Sequence, residues 1–490
     1  MRQVDDMGAV YLAAENSRVT THTAALLTLD PAALPGGTLT IDQLRDLVRQ
    51  RLHLIAPFRW RLARVPFGLD HPYWVEDPEV DLDFHVREVS LPSPGSDEQL
   101  RQLVARIFAR RLDRSRPLWE TYLIRGLPDG RVAVLTKVHH AAADGLSGEE
   151  ILVTLADTTP EPRSVPPPPP RPVPRPPGDA EMLVRGIAGL ARRPWRALAG
   201  IPDVLVGLAE LPVLGTLPGA RQISTVAAVI RRQQAPHFAV PRAPRTSFNG
   251  RVSAQRRLGF GTLSLDDVKR VKNHFGVSVN DVVMALSAGA LRRWLVEHDE
   301  LPDASLTAVV PVSTRGAGRA GSFGNKVSAI VVPIPTDVPD VTERLARAHQ
   351  VMDAAKAQLG SVPADVLADV TYFFPPAVFV QAAQLLTTLN ALPPLPPAMN
   401  VNISNVPGPR EPLYYAGAKV ESMVPLAGIS DGLGLNITVL SYCARIDVGI
   451  VADREQVEDV QRIADWMADD LAELVEAAKR GVRARRAGWS

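Results

Sequence analysis

A single cysteine, Cys443, occurs in 490 residues. No internal disulfide can form, so nothing points to an oxidising compartment. The formal net charge is only +1, which withholds the clustered basic excess of a nucleic-acid binder. The N-terminal residues Met1-Arg2-Gln3-Val4-Asp5-Asp6 lead into a mixed segment with no apolar core of a signal peptide, so the expected location is cytoplasmic. No unbroken apolar run reaches the roughly 20 residues of a membrane span. The nearest approach is the charge-free stretch Val370 to Pro409, broken by Pro375-Pro376 and by Pro393, Pro394, Pro396 and Pro397. It reads first as a buried helix over Ala377 to Leu392, and otherwise as a wall for a long apolar ligand or a membrane-facing patch. There is no second His or Cys cluster at ligand spacing and no nucleotide or flavin motif, so no metal and no cofactor are expected.

What is present is an ordinary globular composition, 46% hydrophobic and 22% charged, in a chain too long for one core. The proline run Pro166 to Pro170, extended by Pro172, Pro174, Pro176 and Pro177, predicts a stiff connector. Three parts result: an N-terminal domain over 1–160, a Pro-rich linker with amphipathic helices over 161–245, and a C-terminal domain over 246–490. Within 180–235, Leu183, Val184, Ile187, Leu190 and Leu198 recur at helical spacing among Arg185, Arg192, Arg193 and Arg196. Such a segment suits either an anionic membrane surface or the face of a domain.

Both flanking parts mix strands and helices. Thr20 to Leu29 reads as a strand and Ile41 to Leu54 as a helix with Leu44, Leu47, Val48 and Leu52 on one side. Tyr122 to Ile124 and Val132 to Val138 flank Pro128-Asp129-Gly130, a hairpin signal. Downstream, Val268 to Glu297 reads as largely helical. Ala308 to Val312, Lys326 to Pro333, Met399 to Asn405, Leu435 to Tyr442 and Arg445 to Ala452 read as strands. Val457 to Ala478 closes the chain as an amphipathic helix.

Histidine is scarce, 10 in all, yet two are adjacent in His139-His140-Ala141-Ala142-Ala143-Asp144-Gly145. The pair ends the second arm of the hairpin. Ser147 and Glu150 then form a capping-box pattern before Ile151 and Leu152. A strand-to-helix turn of this kind can expose an imidazole to a cleft, where it accepts a hydroxyl proton near neutral pH. Asp144 is placed to orient the turn, and Gly145 permits a conformation that a side chain would block. No nucleophilic Ser or Cys stands in a recognised setting nearby, which favours direct transfer without a covalent intermediate. Two alternatives stay open here: a metal held by the histidines with Asp144, and a pair satisfied by backbone groups that does no chemistry.

The His-His-x-x-x-Asp-Gly signature resembles the active site of the CoA-dependent acyltransferase superfamily. Further segments resemble one branch of it, the bacterial wax ester synthase/acyl-CoA:diacylglycerol acyltransferases. They are Pro117-Leu118-Trp119-Glu120, Ser278-Val279-Asn280-Asp281, Pro311-Val312-Ser313, Gly324-Asn325 and Asn402 to Pro409, in the same order from about residue 50 to 450. One departure is Gly8, ahead of Tyr11-Leu12, where that family usually carries an acidic residue.

The resemblance implies an α/β fold of two chloramphenicol-acetyltransferase-like domains, each a mixed sheet with flanking helices, meeting at a tunnel. It implies transfer of a long acyl chain from acyl-CoA to diacylglycerol or a long-chain alcohol, with acyl-CoA as substrate rather than cofactor. His140 is then the general base, His139 a supporting neighbour, and Asp144 a structural residue. Asn280 and Asp281 support the site from the second domain, Asn280 as an oxyanion contact or as a helix N-cap. Ser404 and Asn405 fall near the tunnel, and Trp119 is a packing residue. The alternatives are a superfamily acyltransferase with a non-glyceride acceptor and a catalytically silent lipid-binding homologue. A membrane or lipid-droplet surface is an expected peripheral partner, and nucleic acid is not.

Overall fold

A computed structural model describes residues 1–66, 70–143, 148–167, 177–178, 180–185, 243–313, 327–360 and 397–487. The chain begins with β1 (Arg2–Gln3), α1 (Asp6–Ala14), β2 (His22–Asp30), α2 (Ile41–Arg51), β3 (Trp60–Ala63), β4 (Tyr73–Glu76), the short turn α3 (Leu82–His85), β5 (Val86–Ser90), α4 (Asp97–Phe108), β6 (Trp119–Arg125) and β7 (Val132–His139). Two helices follow, α5 (His140–Ala143) and α6 (Gly148–Leu155). After the linker come β8 (Arg256–Ser264), α7 (Leu265–Phe275), α8 (Val279–Glu297), β9 (Leu306–Ser313), β10 (Val327–Ile334) and α9 (Val341–Gly360). The last elements are β11 (Val401–Val406), β12 (Tyr414–Tyr415), β13 (Ala418–Leu426), β14 (Leu435–Tyr442), β15 (Arg445–Asp453) and α10 (Val460–Ala487).

The fold is mixed α/β, with two six-stranded sheets. The first runs β12-β13-β2-β7-β6-β5 and the second β10-β9-β11-β14-β15-β8, while β1-β4-β3 forms a small side sheet. Pairing is antiparallel except at β5–β6, β11–β14 and β11–β9. The hairpin expected around Pro128-Asp129-Gly130 joins β6 to β7, with Asp129 and Gly130 both at positive φ.

β12 and β13 lie within 246–490 yet complete the first sheet: β13 pairs antiparallel with β2 over Lys419↔Asp30 to Leu426↔Ala24. The two halves are therefore interlocked. A buried apolar cluster fills the junction, with Leu100, Val104 and Phe108 of α4 and Leu135 of β7 against Leu258, Val424 and Val451 from the second half. Gly449 of β15 lies directly over β13, where an added Cβ would come 1.7 Å from the Pro425 carbonyl oxygen.

The stretch Val268 to Glu297, read as largely helical, is divided between α7 and α8. Gly276 adopts the left-handed conformation that caps α7, and α8 sets off at 104° to it. Glycine reaches that backbone region without steric cost, so the helix stops there. α8 is buried along almost its whole length, as an all-round apolar helix must be. Among the described residues no single helix is long and apolar enough to cross a membrane. Of the segment 180–235 only 180–185 is described, and of Val370 to Pro409 only the part from 397, so the linker-helix and apolar-wall readings lie outside the described residues.

Candidate functional site

β7 is buried from Val132 to His139, and its last residue sits opposite His22 of β2. Beyond it the backbone turns at once into α5. Two backbone bonds fix the turn: His139 N–H donates to the Leu118 carbonyl at 3.0 Å, and His140 N–H donates to the Thr21 carbonyl at 3.0 Å. Leu118 belongs to the Pro117-Leu118-Trp119 segment. Trp119 itself is a packing residue, stacked on Phe58 at 4.2 Å and on His85 at 4.4 Å, with its indole N–H donating to the Phe58 carbonyl at 2.9 Å.

The two histidines differ sharply. His139 has no exposed surface, and both its ring nitrogens are engaged. Nδ1 accepts from Ala141 N–H at 3.1 Å, and Nε2 lies 3.0 Å from Thr21 Oγ1. Thr21 Oγ1 donates its own proton to the Tyr11 carbonyl at 2.9 Å. It can therefore only accept from His139, which fixes the neutral Nε2–H tautomer. Both lone-pair and proton positions are used, so the two histidines cannot chelate a metal together in this arrangement.

His140 is half-buried, and neither ring nitrogen hydrogen-bonds to any described residue. Its ring stacks on Tyr11 of α1, with centroids 4.8 Å apart and planes inclined by 19°. α1 packs closely here: a Cβ on Gly8 would lie 3.5 Å from Ala141 Cβ.

Electrostatics keep both rings neutral. Burial, helped by the nearby Arg114 and Arg111 and by any charge on His140, lowers His139 to about 3. Burial alone lowers His140 to about 4. Beneath the pair, the buried Glu15 carboxylate is held by Arg114 at 2.8 Å and Arg111 at 3.4 Å, and stands 4.0 Å from His139 Nε2. A neutral imidazole with accessible nitrogens is a proton acceptor at physiological pH.

The other expected residues are placed as follows. Asp144, Gly145 and Ser147 lie outside the described residues. Asn280 is half-buried in the first turn of α8. It is not the N-cap: Ser278 takes that position, its Oγ accepting from Asp281 N–H at 3.2 Å while Asp281 Oδ2 accepts from Ser278 N–H at 2.8 Å. Serine wins because Asn280 is already two residues inside the helix, where its side chain cannot reach the unpaired first amides.

Asp281 is fully buried and also engages His349 Nδ1 of α9 at 2.8 Å. Ser404 and Asn405 are half-buried on β11, in register with Thr438 and Val439 of β14. The end of that strand reaches the first half, since Val406 packs on its core. Among the described residues, none of Asn280, Asp281, Ser404 and Asn405 hydrogen-bonds to either histidine.

Thr21, Tyr11, Glu15 and Arg114 surround the pair, and sequence reasoning assigned none of them a role at the histidines. Of these only Tyr11 falls in a segment the sequence marks, the Tyr11-Leu12 pair; the others come from before β2, the end of α1 and the loop after α4, and reach the histidines through the fold rather than along the chain.

Comparison with known proteins shows the family of the chain. Residues 4–283 match the wax ester synthase/diacylglycerol acyltransferase catalytic domain, and residues 323–475 match the C-terminal domain of the same family. A Mycobacterium tuberculosis protein named as a diacylglycerol O-acyltransferase is 34% identical over 482 residues, covering 98% of this chain and 91% of the relative. A similarly named Mycobacterium bovis protein is 37% identical over 424 residues, covering 86% and 87%. The structure of the wax ester synthase/diacylglycerol acyltransferase from Marinobacter aquaeolei VT8 superposes with a TM-score of 0.68 at 28% identity, covering 97% of this chain and all of that one. The first condensation domain of the calcium-dependent antibiotic synthetase, 17% identical with a TM-score of 0.54 over 97% of this chain and 96% of that one, shares the fold. The chain belongs to the wax ester synthase/diacylglycerol acyltransferase family of acyltransferase enzymes.

Proposed function

We propose that the protein moves a long-chain acyl group from acyl-CoA to the hydroxyl of diacylglycerol or of a long-chain alcohol, with His140 as general base. One observation carries the assignment of the base: His139 has both ring nitrogens engaged, while those of His140 are free of described partners. The acceptor classes come from the names of the relatives. A surface role for the basic amphipathic segment 180–235 at a membrane or lipid droplet accompanies this reading, and co-sedimentation with anionic phospholipid vesicles tests it separately.

A ring nitrogen of His140 takes the acceptor's hydroxyl proton as the oxygen attacks the thioester carbonyl. The carbonyl π electrons move to oxygen, giving a tetrahedral intermediate and an imidazolium. The intermediate collapses, the C–S bond breaks, and the departing CoA sulfur takes the proton back from His140. The base is thereby restored without a covalent acyl-enzyme. The stacked Tyr11 ring faces the imidazole where the positive charge develops, and such a face attracts a cation.

The test is purified protein with palmitoyl-CoA and a panel of dipalmitoylglycerol, hexadecanol and no acceptor, read by thiol release and by product analysis. The expected outcome is an ester product that depends on acceptor. His140→Ala should lose at least about 100-fold in rate, the usual contribution of a positioned base, while its circular dichroism stays that of the wild type. Acyl transfer retained by a folded His140→Ala variant would overturn the mechanism.

A further inference from the structure

We infer that Thr21 is a positioning residue for acyl transfer: its hydroxyl fixes the tautomer of His139, and its carbonyl fixes the turn that presents His140. The inference rests on His140 being the base, and it adds a residue that lies 118 positions away from His139 in sequence.

Thr21 sits immediately before β2, part-buried, and touches three elements that meet at the base. Its Oγ1 donates to the Tyr11 carbonyl at the end of α1 and accepts from His139 Nε2–H. Its carbonyl oxygen accepts from His140 N–H. His139 in turn accepts Ala141 N–H on Nδ1, so the His139 ring ties down the residue that follows the base. A hydroxyl has one proton. Because Tyr11 takes it, the direction of every bond in this chain is determined, and only one tautomer of His139 satisfies both ends.

The segment that carries Thr21 is itself anchored on the second half. Arg18 makes a two-armed contact to Asp431 at 3.1 and 3.2 Å and a bond to the Val252 carbonyl at 2.8 Å. Gly428 lies so close that a Cβ there would come 2.8 Å from the Thr20 carbonyl oxygen. Thr21 is thus held from both halves.

Thr21→Val keeps the volume and removes the hydroxyl. His139 Nε2–H then loses its acceptor in a buried setting, which is costly. Among the described residues an alternative acceptor is Glu15 Oε1, 4.0 Å away and without a described hydrogen-bond partner. A His139 that turns to this carboxylate becomes easier to protonate. Arg111 and Arg114 oppose that gain, as does any charge on His22 or His140. Protonation of His139 also places a cation beside the base.

The experiment measures kcat and KM for palmitoyl-CoA from pH 5 to 9 in wild type, Thr21→Val and Thr21→Ser, with thermal unfolding of each. Thr21→Val should lose about tenfold in kcat, the worth of one buried hydrogen bond at a reacting geometry, with KM little changed. Its acidic limb should move to higher pH, and Thr21→Ser should restore both. A Thr21→Val variant with wild-type kcat and an unshifted acidic limb overturns the proposal, as does a Thr21→Ser variant that behaves like Thr21→Val. Should the valine variant fail to fold, Thr21→Ala carries the same prediction. His140→Ala runs alongside: if it stays active, the base assignment fails, whereas a dead His140→Ala with a normal Thr21→Val removes only this inference.

Discussion

Replacing His139 by Gln should change the pH dependence of stability by an amount the structure sets. The folded state holds the His139 imidazole at about 3, against about 6.5 in an unfolded chain. Above pH 6.5 both states are neutral, and the full stability is present. As the pH falls through 6.5, the unfolded chain takes up a proton that the folded chain refuses, so stability is lost. The slope is about 1.4 kcal/mol per pH unit, and the loss ends near pH 3 at about 5 kcal/mol in total. Between pH 6.5 and 5 the wild type should therefore lose about 2 kcal/mol more than His139→Gln. His22, His85 and His140 are also lowered by burial, and they give both proteins the same remaining slope. Urea unfolding at a series of pH values from 7.5 to 5 reads the difference directly. Parallel stability curves for the two proteins would refute the buried neutral state of His139. At pH 7.5 the Gln variant should keep measurable acyl transfer, since its amide can still donate to Thr21 and His140 is intact.

Two further substitutions probe how the halves are joined. Gly449→Ala should cost about 3 kcal/mol or prevent folded protein from accumulating, because its Cβ would overlap the Pro425 carbonyl of the crossing strand. Gly250→Ala, whose Cβ would meet nothing nearer than the far end of the Gln456 side chain at 3.4 Å, is the tolerated control, and equal melting temperatures for the two would refute the contact. Arg18→Met should lower stability in urea by about 1–2 kcal/mol, and Arg18→Lys should recover little of it, since only the guanidinium matches the Asp431 carboxylate with two arms. Full recovery by lysine would argue for charge alone.

Where the chemistry is local, the letters were sufficient. A buried apolar strand ending in two histidines and running into a short helix is visible in Val132 to Ala143 because alternation, turn and motif are contiguous. β14 falls on Leu435–Tyr442 as its composition suggests. The closing helix buries Val460, Ile463, Ala464, Met467, Leu471 and Leu474 together, because a period of 3.6 residues puts them on one face. The break inside Val268 to Glu297 is local too: Gly276 caps α7 at positive φ, and Ser278 caps the start of α8 with Asp281. The strand over Ala418–Leu426 was not anticipated, and its partner β2 lies nearly 400 residues earlier. Its place between β12 and β2 in the first sheet depends on pairing that no local pattern specifies. Thr21 and Glu15 were hidden likewise, because their contacts to His139 join segments more than 100 residues apart.

That interlocking bears on what one half of the chain can do. β13 hydrogen-bonds along β2, and β2 hydrogen-bonds along β7, so the strand that ends in His139 is one step removed from an element of the second half. Without β13 the edge of β2 would present unpaired amides and carbonyls to solvent, an arrangement prone to slip register or aggregate. A one-residue slip of β2 would turn Thr21 to the opposite face and break its bond to His139. The second half also holds the Arg18 segment through Asp431. Separation of the two halves therefore removes both the strand that fixes the register of β2 and the anchor of the loop before it. The proton acceptor belongs to the first half by sequence, but the geometry that makes it one is set by both.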